Sequence, residues 1–215
     1  METAVVLLLS VLLVSSCRGE DFCKGKTCPA FTVIERNQVG LRSGQAGRRS
    51  PKESRKVTSV LLCLQNYEIH EFVPTTWIRT KVAGTSDSDF LNANGRLKSF
   101  VKNGETRLDN TWPVLINHTK DDHLWLCWFV PPNTQLSAAS SSVEIFHLPS
   151  STFYIRNFGG IPSVQSGKSN AAKLLSDLER ICSNLDSVEY SGAGYDSFWA
   201  LKHHNEVWIN QDSSC

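Results

Sequence analysis

The sequence predicts an α+β fold, a mostly antiparallel sheet with two helices packed on it. Three observations predict it. The elements run strands, helix, strands, strands, helix, strands. Only two segments carry an apolar period near 3.6 residues. The halves also resemble each other, because YEIHEFVPTTWIRTKV before the first helix parallels TFYIRNFGGIPSVQSG before the second. Each has an alternating, aromatic strand, breaks at Pro or Gly, and then resumes extended. A weak internal repeat of this kind implies a pseudo-twofold domain.

The elements follow in order. CPAFTVIE, residues 28–35, reads as a first strand. Residues 57–84 read as two or three strands broken at Pro74. Phe90, Ala93, Leu97, Phe100 and Val101 then fall on one face of a helix, with Ser86 or Asp87 as its cap. Gly95 weakens that helix by about 1 kcal/mol relative to alanine. NTWPVLIN and HLWLCWFVP return to strand chemistry, and the second is apolar on both faces, as a central strand is. SVEIFHLPSSTFYIRNFGG holds two more strands. GKSNAAKLLSDLERICSNL is a second helix, striped by Leu174, Leu178, Ile181, Cys182 and Leu185. VEYSGAGYD and EVWINQ form a closing hairpin.

The start of the chain predicts export. Ala4 to Val14 is apolar apart from Ser10, and small residues follow at Ser15, Ser16 and Gly19. Such a stretch is too short to span a bilayer and fits a cleaved signal peptide over residues 1–19, although Glu2 stands where a basic residue is usual. Roughly 195 residues remain as one domain, 20–215. Removing Cys17 leaves six cysteines, Cys23, Cys28, Cys63, Cys127, Cys182 and Cys215. An even number in an exported chain implies disulfides of undetermined pairing. Cys127, inside a strand, and Cys182, inside a helix, also suit buried thiols. Asn117-His118-Thr119 is the one glycosylation sequon, expected at a surface turn.

Charge excludes some partners. With 22 basic and 21 acidic residues the net charge is +1, which gives no overall footprint for nucleic acid. Residues 41–57 are the local exception. They carry Arg42, Arg48, Arg49, Lys52, Arg55 and Lys56 against Glu53, and read as a basic, solvated loop.

Catalytic motifs fail one by one. GGIPSVQSGKS has Pro162 where a phosphate loop needs its first glycine. GAGYDS has Ser197 in place of the third glycine of a dinucleotide fingerprint. Cys23 and Cys28 are too far apart for a redox pair of the C-x-x-C type. Asp121-Asp122 reads as a turn. No nucleophile, base and orienting group assemble by spacing, so the expectation is a binding protein and not an enzyme.

Several stretches together resemble the SOUL haem-binding family. They are Cys28-Pro29, Tyr67-Glu68-Ile69 with Pro74-Thr75-Thr76-Trp77, Thr111-Trp112-Pro113-Val114, Tyr154-Ile155-Arg156 with Phe158-Gly159-Gly160, Ala193-Gly194-Tyr195-Asp196, and Asn205-Glu206-Val207-Trp208. The resemblance runs from about Cys28 to Gln211, without the basic loop. It implies a distorted antiparallel β-barrel of two quasi-repeats flanked by two helices. It also implies non-covalent binding of haem or a related tetrapyrrole in an apolar groove beside the first helix and the last hairpin, with no obligatory axial ligand. The candidates for that groove are Phe90, Leu97, Phe198, Trp199, Leu201, Lys202, His203 and His204. The chain departs from the family pattern after Ala-Gly-Tyr-Asp. Phe198 stands where Pro is usual and Ala200 where Lys is usual, and in the first half His70 stands where Arg is common.

His203 and His204 are adjacent, and adjacent strand residues point to opposite faces, so both cannot ligate one iron without a sharp bend. Solvated loop residues are the simplest reading. One histidine reaching the groove, or a separate zinc or copper site, are the alternatives. The expected role is extracellular carriage or scavenging of a tetrapyrrole. The competing readings are a secreted protein-interaction module that keeps the scaffold without haem, and an enzyme on a small hydrophobic ligand.

Overall fold

The computed structural model describes residues 23, 25–38, 65–104, 108, 111–178, 188–197 and 200–212. Nine strands form one antiparallel sheet: β1 (Phe31–Gln38), β2 (Gln65–Phe72), β3 (Thr75–Val82), β4 (Val114–His118), β5 (Leu124–Val130), β6 (Glu144–Leu148), β7 (Ser151–Phe158), β8 (Tyr190–Gly194) and β9 (Asn205–Asn210). Two helices interrupt them, α1 (Asp87–Asn103) and α2 (Val164–Asp177). The sheet order is β1-β2-β7-β9-β8-β4-β5-β3-β6. Among the described residues no pairing joins β1 to β6. The expected barrel is therefore a curled sheet that does not close.

The order carries the twofold. From the central β4–β8 pair, one side runs β5, β3, β6 and the other β9, β7, β2. The registers agree with it: Glu68↔Ile155 through Phe72↔Ser151 on one side answers Glu144↔Arg79 through Leu148↔Thr75 on the other. The chain crosses between sides just before β3 and just before β7. Pro74 and Pro149 stand at these crossings, and proline, lacking an N–H, cannot continue a ladder.

These registers correct the sequence parallel. The segment equivalent to residues 67–82 is 143–158, the β6–β7 run. GGIPSVQSG, which the sequence parallel aligns with the second half of the first segment, is instead the turn and first residues of α2. The start of α2 lies at Val164, earlier than the apolar stripe indicated. Ser163 caps it: its hydroxyl accepts from the Ser166 N–H at 3.0 Å, and the Ser166 hydroxyl accepts from the Ser163 N–H at 2.9 Å. Ser86 caps α1 in the same reciprocal way with Asp89.

Each face of the sheet has its own core. The inner, concave face is filled by Phe72, Trp77, Phe129, Phe153 and Trp208. The Phe72 and Trp208 ring centres lie 4.7 Å apart. On the outer face, α1 packs Ala93, Leu97 and Phe100 against Ile78 and Val82 of β3 and Leu126 of β5. The second helix packs Ala171, Leu174 and Leu175 against Tyr154, Val207 and Ile209. The β4–β8 seam runs between the two helices.

Two expectations change here. Asn117 lies inside β4, not in the turn that follows, and its Nδ2 donates to Glu189 Oε1 at 2.9 Å and Ser191 Oγ at 3.2 Å. Cys127 is a free, buried thiol in β5 and not a disulfide partner, and burial pushes its pKa up to about 12. Cys23 and Cys28 do form a disulfide. The signal segment, the basic loop and Cys63, Cys182 and Cys215 lie outside the described residues.

Candidate functional site

The outer face of the seam is unusual in its side chains. Strand alternation turns Val114, Ile116 and His118 of β4 outward, together with Tyr190, Gly192 and Gly194 of β8. His118 and Tyr190 stack, with ring centres 5.0 Å apart. The next two cross-strand pairs, Ile116↔Gly192 and Val114↔Gly194, put a glycine beside each aliphatic residue. No described atom lies within 4 Å of where a Cβ on Gly192 would stand. Glycine inside a strand weakens it and marks a bulge, a tight bend, or a place where a ligand or another backbone comes close.

This shelf runs into a pocket. Val114 also lines a partly open cavity of about 210 Å³, together with Trp128 of β5, Asn94 and Leu108 on the α1 side, and Thr111, Trp112 and Pro113 leading into β4. Asn94 follows Phe90 by four residues and precedes Leu97 by three, which places it on the same helix face. Lys26 completes the wall, its Nζ 4.3 Å from the centre of the Trp112 ring. The lining is thus two indoles, a proline and aliphatic residues around one ammonium group. That chemistry fits a flat apolar molecule with an anionic edge.

At the same end of the sheet, residues 195–204 join β8 to β9. The symmetry-related connection, between β4 and β5, is residues 119–123. The longer loop is pinned from within. Glu206, 1% exposed, accepts hydrogen bonds from Tyr195 Oη and Trp208 Nε1 on Oε2, both at 2.7 Å, and from His204 Nε2 on Oε1 at 2.9 Å. The His204 N–H donates to Asp196 Oδ2 at 2.7 Å. Asn205 Nδ2 donates to Gly160 O at 2.8 Å, tying the hairpin to the turn before α2. Three donors around the buried carboxyl group offset its loss of hydration. Burial, reinforced by the nearby Glu206, holds the Tyr195 phenol well above its ordinary pKa.

The model of the SOUL heme-binding protein family matches residues 55–210. The chain belongs to the SOUL haem-binding family.

Solved structures similar to this SOUL domain are distant. A hydrolase from Listeria innocua is 12% identical, with a TM-score of 0.42 over 67% of this chain and 91% of that one. The protein SAV2435 bound to tetraphenylphosphonium is also 12% identical, with a TM-score of 0.36 over 67% and 92%. No curated protein matches the chain.

The structure sorts the candidates named from the sequence. Phe90 is half-buried on α1, against the α1 core. Leu97, with no exposed surface, is part of that core and out of reach of a ligand, because its helix face lies flat on β3 and β5. Leu201 is fully exposed and Lys202 exposed. Phe198 and Trp199 lie outside the described residues. His203 is half-buried with an unpartnered Nδ1, and His204 is a fixed member of the Glu206 network rather than a solvated loop residue. Lys26, Asn94, Trp112 and Trp128 line the pocket and Gly192 and Gly194 the seam, and none of them is among the candidates named from the sequence. The run Ser191-Gly192-Ala193-Gly194, with glycine at alternate positions of a strand, was the available signal for the shelf.

Proposed function

We propose that this SOUL domain binds haem or a related tetrapyrrole non-covalently, laid on the Gly192–Gly194 shelf with one edge in the Trp112–Trp128 pocket. The observation that carries this reading is the juxtaposition of a glycine-lined, apolar strand seam with two indoles and the ammonium group of Lys26. Lys26 would meet a propionate. A macrocycle burying several hundred Å² at about 25 cal/mol per Å² gains several kcal/mol, enough for binding without coordination. The described residues lining the pocket include no histidine, cysteine, methionine or tyrosine, and His118 and Tyr190 stand stacked on each other at the far end of the seam, so shape and apolar area hold the ligand and iron is incidental. The N-terminal apolar segment makes the protein an exported carrier or scavenger in this reading, acting without catalysis.

The curled interior is packed with the chain's own aromatics, so the ligand lies outside the sheet. A pocket of about 210 Å³ is smaller than the range of roughly 300–1,000 Å³ usual for sites that enclose a small molecule. That size favours the second reading, a secreted protein-interaction module on the same scaffold. A haem titration of the mature chain separates them. The expected result is a shifted Soret band with a saturable one-to-one endpoint, weakened at least about tenfold by Trp112→Ala or Trp128→Ala. A titration without saturation overturns the tetrapyrrole reading and leaves the interaction module.

A further inference from the structure

The wall of the pocket that carries Lys26 belongs to no strand or helix. Cys23 and Cys28 close it into a short disulfide loop. Within the loop the Lys26 N–H donates to Cys23 O at 2.8 Å. Thr27 forms an isolated parallel bridge with Thr111, and the Trp112 N–H donates to Thr27 O at 3.0 Å. Cys23 and Cys28 pack in turn against the inner core beside Trp112. Among the described residues these contacts place the ammonium group over the indole. A segment outside the regular strands and helices depends on its crosslink to stay in one conformation.

We propose that the Cys23–Cys28 disulfide is a redox-controlled clasp on the ligand pocket, a proposal that rests on reading the pocket as a tetrapyrrole site. The co-reactant is a dithiol reductant. Its thiolate attacks one sulfur of the pair to give a mixed disulfide, and its second thiolate then displaces the remaining cysteine. Two electrons and two protons pass to Cys23 and Cys28, and the reductant leaves as a cyclic disulfide. Without the crosslink the loop no longer holds Thr27 on Thr111, so Lys26 leaves Trp112. The pocket then loses its only described cation and one wall. The oxidised protein retains a porphyrin carrying carboxylates, and the reduced protein releases it.

The test compares wild type, oxidised and treated with dithiothreitol, with the double variant Cys23→Ser/Cys28→Ser and with Lys26→Ala. One readout needs no ligand: hydrogen exchange at the Trp112 amide, with the core amides of Ile155 and Val207 as the control for folding. The other is affinity for protoporphyrin IX. In the reduced protein and the double variant, Trp112 exchange rises at least about tenfold while the core amides stay protected. Affinity falls at least about fivefold in both. Lys26→Ala binds as weakly as reduced wild type, and dithiothreitol changes its affinity no further. Unchanged Trp112 exchange, or faster exchange with unchanged affinity, overturns the clasp. If the double variant loses core protection, the Lys26→Ala comparison decides alone. A wild type that takes up no protoporphyrin sinks the tetrapyrrole reading instead, and the clasp is then judged on Trp112 exchange.

Discussion

The phenol O–H of Tyr195 donates to Oε2 of Glu206 at 2.7 Å, and both side chains are buried in the concave face of the sheet. Trp208 Nε1 donates to the same oxygen, which leaves the other oxygen to His204. Replacing Glu206 with alanine removes the acceptor that a buried phenol and a buried indole N–H share. Each such lost bond to a buried donor costs about 1–3 kcal/mol. The expected loss for Glu206→Ala is therefore about 3–5 kcal/mol by urea denaturation, with Glu206→Gln milder because one oxygen survives. A Glu206→Ala protein within about 0.5 kcal/mol of wild type would mean that the network contributes nothing.

The two histidines of this loop should separate cleanly. His204 contributes its ring to Glu206 and its N–H to Asp196, whereas among the described residues His203 makes no side-chain bond and its Nδ1 has no partner. His204→Ala is expected to lower stability by about 1–3 kcal/mol, and His203→Ala by less than about 0.5 kcal/mol. Equal losses for the two would contradict the assignment of His204 to the core network.

The alternation and helical stripes made the sheet and both helices legible in the sequence, because burial on one face leaves a period in the chain. The same logic misled where two faces are buried. β5 reads as continuously apolar, so nothing showed which of its residues meet α1 and which the inner core. Leu97 was assigned to a ligand surface for a related reason: an apolar residue on a helix stripe reads the same whether it meets a sheet or a porphyrin. The Glu206 network was illegible because its members are brought together by strand pairing, and a lone acid in NEVWIN carries no mark of burial. Lys26 was hidden for another reason, since a parallel bridge from Thr27 to Thr111 joins segments far apart in the chain.

Stability should fall in alkali through two buried acids. Burial raises the Cys127 thiol from 9.0 to about 12, and raises the Tyr195 phenol well above 10.0. Above pH 9 the unfolded chain ionises Cys127 while the folded chain keeps it protonated. The unfolded state is favoured increasingly as pH climbs towards 12, by up to about 1.4 kcal/mol per pH unit from Cys127. Below pH 9 that stability is fully present. Denaturation midpoints measured from pH 8 to 11 should decline, and less steeply in Cys127→Ala. The native thiol should also resist disulfide reagents at pH 8 and react on denaturation. Prompt reaction of Cys127 in the folded protein would contradict its burial.

Filling the shelf should cost binding and not folding. A Cβ on Gly192 meets no described atom within 4 Å, and β-branched residues suit strands. Gly192→Val is expected to keep or slightly raise the melting temperature while weakening haem at least about tenfold, since the new side chain occupies the ligand's volume. Gly95→Val serves as the contrast: its Cβ also meets open space, but on α1 and away from the shelf, so binding should be unchanged. A Gly192→Val protein with wild-type affinity would move the ligand off the seam.

Iron should matter little. The described residues of the pocket offer indoles, aliphatic groups, hydroxyl and amide groups and one ammonium group, none of them a strong axial ligand for iron. If apolar area and the Lys26 contact hold the macrocycle, removing the metal removes no protein bond. Iron-free protoporphyrin IX should then bind within about threefold of haem, and the haem complex should show the spectrum of iron without a strong protein ligand. Both affinities should weaken together in Trp128→Ala, because both ligands press the same indole. A haem affinity more than about a hundredfold above that of protoporphyrin would require coordination. In that case His118, which stands on the seam, and His203 are the first side chains to replace, since the Nδ1 of each has no partner among the described residues.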